Sequence, residues 1–126
     1  MSIIKVTAPG LVCAILLGLL SPAFADPWTG ADTVRELAFD GAATLDWAQT
    51  RWIVSHEPQF HEVNPILGRR PPIGTVDLYF LSSLALHAAV SRALPETWRQ
   101  PWQYATLGIE AGFVGYNAEL GIHFRF

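Results

Sequence analysis

Residues 76–94, VDLYFLSSLALHAAVSRAL, contain no proline or glycine, and their only charged side chains, Asp77 and Arg92, lie near the ends. At about 1.5 Å of rise per helical residue, such a run is long enough to cross a hydrocarbon core of roughly 30 Å. Ser83, His87 and Ser91 recur every four residues and form one polar stripe on an otherwise apolar helix. In lipid that stripe needs partners from the protein itself, so the run predicts neighbouring helices with polar faces of their own.

The 126 residues leave room for a single domain, and 51% apolar against 15% charged residues favours a membrane or envelope setting. A formal net charge of -3, with no basic cluster larger than Arg69-Arg70, argues against a nucleic-acid partner. The single cysteine, Cys13, excludes an intrachain disulfide framework, and Val12 before it does not suit a lipoprotein site. Lys5, the apolar run 11–20 and Ala23-Phe24-Ala25 have the layout of a secretory signal peptide, residues 1–25, cleaved before Asp26. The mature domain is then 26–126, placed in the bacterial cell envelope. The inner membrane is the first choice, with periplasm or outer membrane as alternatives.

Residues 36–55 read as the first helix of that domain, with Asp32 or Thr33 as its cap. Ala42, Ala43, Asp46, Gln49, Thr50 and Ile53 share one face, while Ala38, Leu45 and Trp52, with Leu37 and Ala48, occupy another. In water the apolar face would turn inward. In a bilayer the assignment inverts, because lipid accepts Leu and Trp whereas Asp and Gln need protein partners. Asp40, Asp46 and Arg51 would each cost about 2.5–3.5 kcal/mol near the centre of a lone spanning helix, so this segment requires the other two around it.

Pro58, Pro65, Pro71 and Pro72 make 57–75 a long loop, and its apolar content argues that it is ordered. A turn at 95–102 precedes a third segment, 103–122, and Trp98, Trp102 and Tyr104 resemble an interfacial aromatic belt. On that segment Gln103, Glu110 and Asn117 recur every seven residues, and Gly108, Gly112 and Gly115 offer a small face for close helix approach. With Asp26 outside, three spans place Arg69 and Arg70 in the cytoplasm. Leu120, Ile122, Phe124 and Phe126 alternate like the last strand of an outer-membrane barrel, but the chain lacks the further strands such a barrel needs. The expected fold is therefore all-α: a signal peptide followed by a compact three-helix membrane bundle with a long loop between its first two helices.

Two groups of residues are candidates for chemistry. Asp46, Gln49, Thr50, His87 and Glu110 sit within the apolar segments, where ionisable groups suggest an ion, proton or catalytic site, or else polar contacts that hold the bundle together. His61, Glu62, Asn64 and Pro65 form a loop motif. Pro58 between His56 and His61 rules out the helical zinc geometry of HExxH, so no metal and no cofactor is expected. Neither a Ser-His-Asp set nor a phosphate loop is legible, and the balance leans away from an enzyme.

Asp46-x-x-Gln49-Thr50, followed by Glu62-x-Asn64-Pro65 and two hydrophobic helices, resembles a group of small uncharacterised bacterial and phage membrane proteins with a D…T…ExNP pattern. The resemblance covers most of 26–126. It implies a multi-helix membrane protein and draws attention to Asp46, Thr50, Glu62, Asn64 and Pro65, without a catalytic role for any of them. The function expected is structural or interactive, with the lipid bilayer and a membrane-protein partner or a second copy of the chain as partners.

Overall fold

The computed structural model describes residues 26–56 and 59–122. Among them are three helices, α1 (Gly30–Ser55), α2 (Ile73–Ala93) and α3 (Glu96–Glu119), and no strand. The all-helical expectation holds. The signal peptide, Glu57, Pro58, and Phe124 and Phe126 of the alternating tail lie outside the described residues.

α1 starts earlier than its hydrophobic pattern implied. Thr29 is its cap: the hydroxyl accepts from Asp32 N at 3.1 Å, and Thr29 N donates to Asp32 Oδ2 at 2.8 Å. This reciprocal pair satisfies amides that the first turn otherwise leaves without partners. Neither Asp32 nor Thr33 is the cap, which corrects the reading above.

In the long loop, Glu62 N donates to Arg69 O at 3.1 Å, and Gly68, at φ 77°, returns its N–H to Asn64 O at 3.0 Å. α2 begins after Pro72, whose carbonyl accepts from Thr75 N and Val76 N. Only Leu94 and Pro95 separate it from α3, so the two helices run antiparallel. Most of the expected turn at 95–102 is helix. Proline is well tolerated at a helix start, and Pro101 further in removes one donor without ending α3. α3 ends in a Schellman arrangement: Ile122 N donates to Asn117 O at 3.1 Å and Gly121 N to Ala118 O at 3.0 Å, with Gly121 at φ 76°.

α1 packs against both other helices, more extensively against α3 than α2. Its buried positions, Asp32, Glu36, Phe39, Ala43, Asp46, Gln49, Thr50 and Ile53, follow the three-and-four spacing of one helical face. Val76, Phe80, His87 and Ser91 of α2 and Arg99, Gln103 and Asn117 of α3 complete the interior. Every fully buried residue of α3 is polar. Meanwhile Leu37, Leu78, Ile109 and Trp98 face outward at 64%, 67%, 59% and 66% exposure. The polar face of α1 therefore points inward, and the Gln103/Glu110/Asn117 stripe also lies on the inner side.

Gly108, Gly112 and Gly115 are exposed, and a Cβ on any of them would meet nothing within 4 Å. Helix approach inside the protein uses the polar face instead, because hydrogen bonds from Gln103 and Asn117 set the distance to α1.

Candidate functional site

The interior polar residues fall into two networks. At the end nearest the α2–α3 turn, the Arg99 guanidinium is 1% exposed and uses all five of its N–H donors. Nε donates to Ser91 O at 2.9 Å; Nη1 donates to Asp32 Oδ2 at 3.0 Å and Pro27 O at 3.3 Å; Nη2 donates to Asp26 O at 2.8 Å and Leu94 O at 2.9 Å. One side chain thus joins the segment before α1, α1 itself and the carbonyls at the end of α2. Asp32 also pairs with Arg35. Burial alone would raise the Asp32 carboxyl, but hydrogen bonds from Thr29, Arg99 and Arg35 outweigh it and bring its pKa down to about 2.

One helical turn deeper lies His87, with its ring stacked 3.6 Å from Phe39 and 5.4 Å from Trp102, centroid to centroid. Nδ1 lies 2.8 Å from Glu36 Oε1, and Nε2 lies 2.8 Å from Thr106 Oγ1. Gln103 Nε2 donates to the other Glu36 oxygen at 2.9 Å, and Arg35 Nε donates to Gln103 Oε1 at 2.8 Å. Carboxylate, imidazole and hydroxyl stand in a line, the order found in nucleophilic triads. Thr106 Oγ1, however, also donates to Trp102 O at 2.8 Å, one turn back on its own helix. That is the bonding of a structural hydroxyl, whose proton is already engaged by the backbone.

The second network surrounds Asp46. Asn117 Nδ2 donates to Asp46 Oδ1 at 3.1 Å and to Gln49 Oε1 at 3.2 Å, and Gln49 Nε2 reaches Val114 O at 3.3 Å. Glu62 is held by its own motif: Oε1 accepts from Val63 N at 2.9 Å and Asn64 N at 2.8 Å. Asn64 in turn accepts from Ile66 N at 2.9 Å and donates to Tyr79 Oη at 3.0 Å, tying the loop to α2. The E-x-N-P stretch is thus a carboxylate mount. Among the described residues, three buried side-chain atoms have no hydrogen-bond partner: Glu62 Oε2, Glu110 Oε2 and Trp102 Nε1.

No family model, curated protein or solved structure matches the chain.

Of the residues singled out from sequence, Asp46, Gln49, Thr50 and Glu62 are each buried, and Asp46 and Gln49 meet the Asn117 amide of α3. His87 is buried too, but its hydrogen bonds go to Glu36 and Thr106. It shares with Glu110 a crevice of about 190 Å³ between α2 and α3. Asn64 is half-buried, while His61 and Pro65 are exposed. Among the described residues, no group of three His, Cys, Asp or Glu side chains is placed to hold a metal ion. Sequence reasoning passed over Glu36, Arg99 and Asn117 as site residues. Asn117 had a signal in its seven-residue spacing with Gln103 and Glu110, whereas Arg99 was concealed between Pro95 and Pro101.

Proposed function

We propose that this chain is a small integral protein of the bacterial cell envelope with a structural or interaction role, its helices lying in lipid around a polar interior. The observation that carries this reading is the inverted burial. Asp46, Gln49, Thr50, His87, Arg99 and Gln103 are each 7% exposed or less, while Leu37, Leu78, Leu81, Leu86 and Ile109 are each more than half exposed. In water, that arrangement forfeits apolar burial and desolvates polar groups together. In lipid both terms reverse, because the outer leucines are solvated by acyl chains and the polar groups satisfy one another. α2 is long and apolar enough to cross a membrane, and little of it is covered by the rest of the chain. The inner-membrane site and the cleaved signal peptide remain part of this proposal, and so does kinship with the D…T…ExNP proteins.

The outward glycines give the interaction role its surface. Gly108, Gly112 and Gly115 lie on the outside of α3, where a neighbouring transmembrane helix gains close backbone approach. Fractionation of the expressed chain with inner and outer membranes separated, followed by carbonate extraction, tests the location. Recovery in the carbonate-resistant inner membrane is expected, and recovery as a soluble periplasmic protein overturns the reading. Gly112→Leu then tests the surface, with loss of the detergent-solubilised oligomer expected and an unchanged oligomer counting against it.

A further inference from the structure

Trp102 and Glu110 stand about two turns apart on α3, roughly 12 Å along its axis, and both line the crevice of about 190 Å³ between α2 and α3. Each carries a buried polar atom without a hydrogen-bond partner among the described residues, and the two atoms are of opposite kind. Trp102 Nε1 is a donor, and Glu110 Oε2 is an acceptor. An unmade hydrogen bond at a buried atom costs free energy, so the crevice is chemically incomplete at two separate points.

The rest of the crevice supplies shape. The His87 ring is fixed by Glu36 at Nδ1 and Thr106 at Nε2, and it stacks on Phe39 and Trp102, so it forms a rigid aromatic wall. Thr106 Oγ1 is already engaged by the Trp102 carbonyl. Leu86 and Ile109, each more than half exposed, make an apolar rim. An apolar cavity of about 150 Å³ holds one benzene ring, so this space suits a single ring with short substituents. A water molecule would satisfy one of the two atoms and leave the ring and aliphatic walls wet, whereas a ring-bearing amphipath covers them. At the Glu110 end a cationic donor makes the stronger, charge-assisted hydrogen bond, and at the Trp102 end the indole N–H requires an acceptor. Both atoms lie behind the crevice surface, and the terminal carboxyl and indole torsions that would present them are broad.

We propose that this crevice is a binding site for a small arylalkylamine with a ring oxygen, its ammonium on Glu110, its ring against His87 and its oxygen on the Trp102 N–H. Two hydrogen bonds of about 2.9 Å with one para-substituted ring between them span roughly the length of helix that separates the two residues. This binding activity goes beyond the structural role. It does not depend on the bilayer, since the chain alone forms the walls.

Isothermal titration calorimetry of the purified full-length chain in uncharged detergent micelles tests this, with empty micelles as the blank and circular dichroism as the control for folding. The probes are para-hydroxybenzylamine, benzylamine, which lacks the oxygen, and para-cresol, which lacks the ammonium. Saturable binding of para-hydroxybenzylamine is expected, with either of the others weaker by about tenfold or more. Glu110→Gln should remove the advantage of the amine over para-cresol. Trp102→Phe should remove the advantage of para-hydroxybenzylamine over benzylamine while both amines still bind. Each variant thus acts on one end of the ligand, which a general loss of packing would not do, and Trp102→Phe decides the matter if Glu110→Gln does not fold. Absence of saturable binding to the folded wild type, an amine held no better than para-cresol, or a preference for the ring oxygen unchanged in Trp102→Phe overturns the proposal.

Discussion

Arg99 and Asp32 meet 3.0 Å apart with both side chains 1% exposed, and between them they close one end of the bundle. Removing one partner of a buried pair leaves the other charge uncompensated, which costs about 3–5 kcal/mol. Arg99→Met should therefore lower stability by that order, read from reversible unfolding in detergent. Arg99→Lys should recover only part of it, because an ammonium lacks the planar fork that serves five acceptors. A loss below about 1 kcal/mol for Arg99→Met would show that the pair contributes little more than an exposed one.

Asp32 also sets an acid limit. It lies in the first turn of α1, at the end of the bundle that Arg99 closes and beside the α2–α3 turn, and its folded pKa of about 2 lies below the usual carboxylate value. A group depressed in the folded state stabilises fully above its unfolded pKa of about 4 and loses that contribution as pH falls through the folded value. The unfolding midpoint should fall between about pH 4 and pH 2 in the wild type, and Asp32→Asn should flatten that limb. An acid limb of the same slope in Asp32→Asn would assign the effect to other carboxyls.

Leu81 is 55% exposed on α2 and makes a test of the lipid face. A lysine near the middle of a spanning helix costs about 2.5–3.5 kcal/mol on insertion scales. Leu81→Lys should reduce the carbonate-resistant fraction. Unchanged membrane retention, with higher solubility, would contradict the lipid assignment.

Around His87, two substitutions should move stability in opposite directions. Thr106→Val leaves His87 Nε2 without its partner at 2.8 Å and should cost about 1–3 kcal/mol. Trp102→Phe removes an indole N–H that has no partner among the described residues while keeping a ring against His87, so it should be neutral or stabilising by about 1 kcal/mol. Thermal unfolding in detergent measures both. Destabilisation by Trp102→Phe comparable to that of Thr106→Val would mean that the indole N–H is satisfied in solution.

Gly121 takes φ 76° to close the Schellman turn, and an L-residue there is strained by roughly 1–2 kcal/mol. Gly121→Ala should lower the unfolding midpoint, and an unchanged midpoint would mean that this turn is not part of the cooperative unit.

The periodic features were legible in the sequence. The polar face of α1 through Asp46 and Gln49, the stripe of His87 and Ser91, and the sevenfold spacing of Gln103 and Asn117 all mark the buried side. Periodicity identifies a face but not which neighbour it meets, so the glycine face of α3 was legible while its outward direction was not. Pairing was hidden for the same reason. Glu36 lies 51 residues from His87, and nothing local to either names the other. Arg99 was read as a turn residue because prolines stand on both sides of it, although one of them only starts the helix.

The interior bonds of α1 have a consequence for how the protein is made. Asp46 waits for an amide 71 residues downstream, on α3. While the ribosome is still producing α2, the nascent first helix carries carboxylates that lipid alone does not accept. With the helices in lipid as proposed, α1 enters the bilayer only once the last helix emerges, and a chain truncated before Asn117 would leave the translocon with its first helix stranded at the membrane surface.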